Sequence, residues 1–286
     1  MSPLDLNIEY NARRTVLDHE EISARWDDRA ASYRSEAACE LDIPYAGTER
    51  SVYDFFPAPG AGRAAPLCVF IHGGYWRARS AKTFSHIAKG LNARGICTAI
   101  PSYDLVPHVT VPEIIGQMRA FLVKLWQKTG RRPVVAGHSA GGHLASAMLA
   151  TDWSKVDGVP ENLVTCAFAL SGLYDLEPIL KIDVNDDVRL TPASAREAST
   201  LHWPAPRAGL KLVAAVGALE SEVFKDQSRR VAEVWGGRGV TCEYLEVPGC
   251  HHLSVVDAVS APGHMLFERL VATIDGAAAR SGKRTG

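Results

Sequence analysis

Two kinds of apolar pattern alternate along this chain. Leu67 to Ile71, Ile96 to Ile100, Val134 to Ala136, Leu163 to Leu170 and Leu210 to Val216 are short and nearly continuous. Runs of that length, rich in β-branched residues, read as strands, and the lack of alternation means that both faces are buried, as inside a parallel sheet. Ser51 to Phe56 alternates enough to be a strand, and Thr241 to Val247 reads as a further one. Between the runs the period changes to that of a helix. Asp18 to Ala37 carries Ile22, Trp26, Ala30 and Tyr33 on one face, Lys82 to Ala93 follows the first buried run, and Lys225 to Trp235 and Met265 to Ile274 come late. Thr110-Val111-Pro112-Glu113 is a capping-box start with proline in the first turn. Ile114, Ile115, Met118, Phe121, Leu122 and Leu125 then trace an apolar face that stops at Gly130.

Strand and helix alternating in this way predict an α/β protein with an open, mostly parallel sheet and helices on both faces. No repeat or second-domain boundary interrupts it, so residues 1–286 read as one domain. Residues 1–40 form an arm and a helix over the core, and Pro57 to Pro66 is a turn. Residues 176–207, with charges, prolines and Trp203 but no clean period, are expected to be a small cap over the sheet edge. Residues 277–286 are expected to fray.

Composition narrows the function classes. A chain of 286 residues, 47% hydrophobic and 22% charged, can bury a large core, and its net charge of −1 supplies no field for nucleic acid or an anionic membrane. No apolar run approaches the ~20 residues of a membrane-spanning helix. Met1-Ser2-Pro3-Leu4-Asp5 has neither the basic nor the apolar region of a secretory signal. The six cysteines (39, 68, 97, 166, 242, 250) are scattered, several inside strand-like runs, which argues against a disulfide framework or a zinc site. The expectation is a cytoplasmic protein whose partner is a small molecule, with a homodimer left open.

The chemistry centres on Gly137-His138-Ser139-Ala140-Gly141-Gly142-His143. Gly-x-Ser-x-Gly alone arises by chance in about one chain in ten of this length. Here a buried strand leads in and an alanine-rich helical pattern leads out, the setting of a nucleophile elbow. A serine hydroxyl needs a base, and the base needs an orienting acid. Glu220 follows the strand Leu210 to Val216, with Glu222 close by and Asp175, after the preceding strand, a more remote choice. His251 and His252 follow the strand Thr241 to Val247, and the residues alone leave the choice between them open. As a metal pair they are disfavoured, because neighbours rarely chelate one ion and no further ligand stands at a suitable spacing. Backbone N–H donors for an oxyanion are expected from Ala140 and from Gly73 and Gly74, with His72 pinning that glycine loop. His138 and His143 read as packing residues behind the serine. Tyr75, Trp76, His138, Trp203 and Tyr10 are candidates for the pocket wall, although core packing accounts for Trp76 equally well.

The chain resembles the arylformamidase (kynurenine formamidase)-like esterases of the α/β-hydrolase superfamily, close to the hormone-sensitive-lipase type. The resemblance rests on His72-Gly73-Gly74-Tyr75-Trp76, the elbow, Ser171-Gly172-Leu173-Tyr174-Asp175, the run Glu220-Ser221 to Gln227-Ser228, and Tyr10-Asn11-Ala12-Arg13. It implies an α/β-hydrolase fold with Ser139 as nucleophile, Glu220 immediately before Ser221 as acid, and His252 as base. It also implies a cofactor-free hydrolase of small-acyl or aromatic esters. N-formylkynurenine is the alternative substrate, and a ligand-binding relative without turnover is the remote one.

Overall fold

The protein is described by a computed structural model covering residues 5–62 and 64–282. Residues 1–4 of the expected arm and 283–286 of the expected tail lie outside the described residues. Eight strands form one sheet: β1 (Glu40–Pro44), β2 (Val52–Phe56), β3 (Leu67–Ile71), β4 (Cys97–Pro101), β5 (Val134–His138), β6 (Cys166–Leu170), β7 (Lys211–Gly217) and β8 (Thr241–Val247). Their order is β1-β2-β4-β3-β5-β6-β7-β8. The pairs β1/β2 and β2/β4 are antiparallel and the remainder parallel.

Every residue of β3, β4, β5 and β6 is buried, so the continuous runs do mark strands covered on both faces. Alternate side chains feed two separate cores. Val69, Ile71, Val135, Ala167, Leu212 and Ala214 face one, which is covered by α3 (Val111–Thr129), α4 (Ala140–Ala150) and α5 (Glu222–Gly236). Phe70, Ala136, Phe168, Leu170, Val213 and Ala215 face the other, under α1 (His19–Glu36), α2 (His86–Ala93), α6 (Ser254–Ser260) and α7 (Met265–Gly282). The α3 cap forms as its sequence predicts: Thr110 and Glu113 bond reciprocally, and Gly130 closes the helix with φ 62°.

Several segments depart from the sequence reading. β1 goes unread because its side chains are mostly exposed and carry no apolar alternation; it is held as an antiparallel edge. The helix expected over Lys82 to Ala93 is broken at Ser85 into Ala81–Phe84 and α2, where Arg34 donates to the Lys82 carbonyl and to the Ser85 hydroxyl. The expected cap is four short helical turns, Glu177–Lys181, Asn185–Val188, Pro192–Ala198 and Thr200–His202, whose apolar residues join the first core. The tail does not fray at Ala277: α7 continues to Gly282, with Ile274 and Ala277 buried against the second core.

The amino-terminal helix is tied down by the four residues its period picks out, Ile22, Trp26, Ala30 and Tyr33. Trp26 lies 5.6 Å from Phe84, ring to ring, and its indole N–H donates to Asp257 of α6 at 3.0 Å. Trp26→Ala is expected to lower unfolding stability by about 3–5 kcal/mol, the usual cost of emptying a buried aromatic site. The urea midpoint measures it, and a loss below ~1 kcal/mol would show that α1 is not docked this way.

Candidate active site

The strand order reverses about β3: the chain moves from β3 to β4 on one side and returns to β5 on the other. In open parallel sheets such a switch point leaves a crevice beyond the carboxyl ends of the strands, because the two connections diverge there. Four of those ends meet here. β3 runs into His72-Gly73-Gly74, β5 into Ser139, β7 into the loop of Glu220, and β8 into that of His252.

Ser139 has φ 55° and ψ −118°, a backbone region that only glycine enters without strain. The elbow holds it there by backbone contact. A Cβ on Gly137 would lie 2.2 Å from the Gly141 carbonyl oxygen, and one on Gly141 would lie 2.0 Å from that of Ile71. Ser139 N–H donates to the Leu170 carbonyl at 2.8 Å, which ties the turn to β6. Ala140 begins α4, so its N–H belongs to the first turn, which has no intrahelical acceptor. Gly73 presses against the serine: a Cβ there would sit 3.1 Å from Ser139 Cβ and 2.7 Å from the His138 carbonyl oxygen. Gly74, at φ 109°, turns the loop away with its carbonyl accepting from Arg77 and Ala78.

Glu220 is almost wholly buried, and both of its oxygens are engaged. Oε2 accepts from His252 Nδ1 at 2.6 Å, while Oε1 accepts from Gly217 N–H at 2.7 Å and from the Ser171 hydroxyl at 2.5 Å. A carboxylate only accepts, so His252 Nδ1 is the donor in this bond and Nε2 is the ring atom left free of it. Ser171, itself at φ 49° at the end of β6, is the residue the sequence reading missed as a part of the site. Its signal was present in the Ser171-Gly172 turn after a buried strand.

The rival candidates have other partners. Glu222 is exposed and pairs with Lys225. Asp175 caps the Glu177 turn and faces His202 and Arg230. His251 Nδ1 accepts from the N–H groups of Leu253 and Ser254 at the start of α6. Among the described residues no group of three or more His, Cys, Asp or Glu side chains converges as metal ligands.

The neighbouring histidines each hold a backbone carbonyl. His72 Nδ1–H donates to the Gly73 carbonyl at 2.8 Å, and its ring stacks on Tyr103 at 4.2 Å; burial pushes its pKa down to about 3. His138 Nε2–H donates to the His252 carbonyl at 2.7 Å, and burial, with the nearby His252, holds it well below the usual histidine range. His143 donates to the Ala198 carbonyl and is lowered to about 4 by burial.

A cavity of about 100 Å³, several times the ~10–15 Å³ that accommodates one water, opens beside Ser139 and His252. Of the residues proposed for a pocket wall, Tyr10, Tyr75 and His138 line it. Trp76 and Trp203 do not, and both are corrections. Trp76 is fully buried behind the loop, edge-on to His143 at 5.2 Å. Trp203 is drawn to the far side of the cap, where its N–H donates to the Glu197 carbonyl and Arg119 of α3 covers its ring at 5.8 Å. Trp26 and Arg79, unforeseen, supply wall instead. The arm reaches this wall through Tyr75, whose hydroxyl donates to the Tyr10 carbonyl, and through Ser221, whose hydroxyl donates to that of Glu9 at 2.7 Å.

Sheet order, elbow and converging loops define an α/β hydrolase. The chain belongs to that family: a family model for the alpha/beta hydrolase fold matches residues 68–256. Among curated relatives, the kynurenine formamidase of Salmo salar is 29% identical over 280 residues, 94% of this chain and 92% of its own. That of Danio rerio is 27% identical over 84% of each chain. Among solved structures, a chain from Silicibacter sp. TM1040 described as a candidate thioesterase superposes with a TM-score of 0.85 at 27% identity, covering 95% of this chain and 99% of that one. Esterase B of Lactobacillus rhamnosis reaches a TM-score of 0.72 at 17% identity over 93% of this chain and 97% of its own, a likeness of fold.

The buried histidines make stability depend on pH. His72, His86, His138 and His143 are all held below their ordinary pKa, chiefly by burial, so the unfolded chain binds protons that the folded one does not. Stability is therefore fully present above pH ~6.5 and falls as pH drops toward 4, by up to about 1.4 kcal/mol per pH unit for each such histidine. Urea unfolding at pH 7 and pH 5 reads the slope, and His86→Phe, away from the serine, is expected to make it shallower. A pH-independent midpoint would show that these rings are not buried neutral.

Proposed function

We propose that this protein is a serine hydrolase that cleaves small-acyl or aromatic carboxylic esters through an acyl-enzyme. The observation that carries the reading is the buried Glu220–His252 pair, 2.6 Å apart and opening on the same cavity as a strained Ser139. In this reading Ser139 Oγ attacks the carbonyl carbon as His252 Nε2 takes its proton. The charge arising on the carbonyl oxygen is met by N–H groups of Ala140, Gly73 and Gly74. Glu220 stabilises the imidazolium, which hands its proton to the departing alcohol. Water, deprotonated by His252, then attacks the acyl-enzyme and releases the acid and the free serine. Ser171 and Gly217 N–H keep Glu220 aimed at Nδ1, and His138 holds the His252 loop through its carbonyl. No cofactor enters this sequence. The six unpaired cysteines support a reducing, cytoplasmic setting for the enzyme.

A second reading is a formamidase. It is favoured by the kynurenine formamidases that align along 84–94% of this chain and by a cavity sized for a small acyl group. The chemistry is the same, with an aryl amine leaving in place of an alcohol. Rates on 4-nitrophenyl acetate, longer esters and N-formylkynurenine, measured side by side, separate the two. A formamide rate far below the acetate rate sinks the formamidase reading.

Ser139→Ala is expected to reduce kcat by a factor on the order of 10⁶ with little change in melting temperature; retained turnover on 4-nitrophenyl acetate would refute the mechanism. Glu220→Gln is expected to cost about 10⁴ in kcat, since the ring loses its acceptor and its preferred tautomer. Ser171→Ala removes one of the three bonds to that carboxylate, and about a tenfold loss in kcat with KM held is expected from the loosened acid. A kcat equal to the parent's would assign Ser171 a structural part alone.

A further inference from the structure

Three arginines, Arg13, Arg77 and Arg79, line the cavity beside Ser139, and among the described residues no Asp or Glu lines it. They come from two elements, the short Ala12–Thr15 turn of the arm and the loop after β3. Arg77 is neutralised by an ion pair with Asp187 of the cap. Arg13 and Arg79 have no such partner: among the described residues neither lies within ion-pair distance of an acidic side chain. The exposed Asp27 of α1 acts on Arg79 at longer range.

Arg79 is held in place rather than dangling. Its guanidinium lies 5.8 Å over the Trp26 ring and donates one hydrogen bond, to the Ser23 hydroxyl at 2.6 Å. Its carbonyl is gripped by Arg50 at 2.6 Å. The loop that presents it holds Tyr75, Trp76 and Arg79 at φ 49°, 54° and 77°. Three non-glycine residues in the left-handed region within one loop are strain that the surroundings must sustain, and such strain concentrates where side chains are aimed at a ligand. Burial weighs most against the protonated Arg79; the Asp27 charge favours it, and the charge of Arg13 opposes it.

We propose that this cavity selects substrates bearing a carboxylate, which Arg79 and Arg13 bind while Ser139 attacks the scissile carbonyl; the inference rests on the reading of Ser139 as the nucleophile. The planar guanidinium matches a carboxylate through paired N–H donors, and the indole beneath Arg79 keeps that fork in one orientation. Arg13, more exposed, acts mainly through its charge and is screened by salt.

Two ester pairs test it: 4-acetoxybenzoate against its methyl ester, with the charge on the leaving group, and mono-4-nitrophenyl glutarate against 4-nitrophenyl butyrate, with the charge on the acyl group. In the first pair the methyl ester has the better leaving group, so intrinsic reactivity opposes the expected preference. The full chain is expected to favour the charged member of at least one pair by about tenfold in kcat/KM, in line with a charge-assisted hydrogen bond. That ratio should fall by about tenfold in Arg79→Gln and by about threefold in Arg13→Gln, and it should decline with added sodium chloride. Arg13→Gln changes an exposed side chain, so it keeps the test alive if Arg79→Gln is unstable. Arg94→Gln, whose ion pair with Glu268 lies elsewhere, should leave the ratio where it was. Cleavage of the neutral esters with both ratios at or below one overturns this proposal alone. So does a ratio unmoved by both arginine variants, or moved equally by Arg94→Gln. A protein inert toward all four esters overturns it together with the nucleophile reading.

Discussion

Between β5, α4 and β3 the backbone approaches so closely that no side chain fits at Gly137 or Gly141, where a Cβ would fall 2.2 and 2.0 Å from carbonyl oxygens. That contact forces the turn at Ser139 into φ 55° and ψ −118°, and it brings the start of α4 and the glycine loop after β3 to one point. The strain is affordable because the sheet around it is rigid: four consecutive central strands are buried along their whole length on both faces. Loosening any of these contacts would move the Ser139 hydroxyl relative to the glycine loop, and the mechanism proposed above depends on positioning at that scale.

A second dependence runs through Glu220. A buried carboxylate is costly unless its oxygens are satisfied. Here they are met by the end of β6 through Ser171, the end of β7 through Gly217, and the end of β8 through His252. One side chain thus sews three loops together and keeps His252 in a single tautomer. The surrounding histidines stay neutral because burial disfavours their charge, which spares the His252 imidazolium of the proposed mechanism from adjacent positive charge.

The arm and the cap enclose this centre. Residues of the arm share hydrogen bonds with Tyr75, Ser221 and Gln227, three positions that sit on or beside the loops of the site. The cap closes the opposite side with Ile182 and Val184 and compensates Arg77 through Asp187. Enclosure lowers the local dielectric, so the charges left uncompensated there, Arg79 above all, count for more than they would on an open surface.

The strands, their two-sided burial and the caps of α3 were legible because local physics writes them: continuous apolar runs, a 3.6 period and a Thr/Glu box need no distant partner. The elbow was legible for the same reason, since the glycines are demanded by contacts within a strand–turn–helix unit. Edge strand β1, helix α6 and the cap turns were not, because their stability comes from neighbours far along the chain. The order of acid and base could be guessed from loop positions, but residue type and position leave His251 and His252 equal; only the resemblance favoured His252, and Glu220 comes within 2.6 Å of that ring where β7 and β8 pair. Trp203 and Trp76 carry equal promise as letters in the chain, and only packing sends both away from the cavity while Trp26 and Arg79 enter it. Sequence by itself determined the fold class and the chemistry on offer, which are set by residue type and spacing. Tertiary structure alone decided which groups share a site, because that depends on contacts between residues up to 231 positions apart, as in the bond from Trp26 to Asp257.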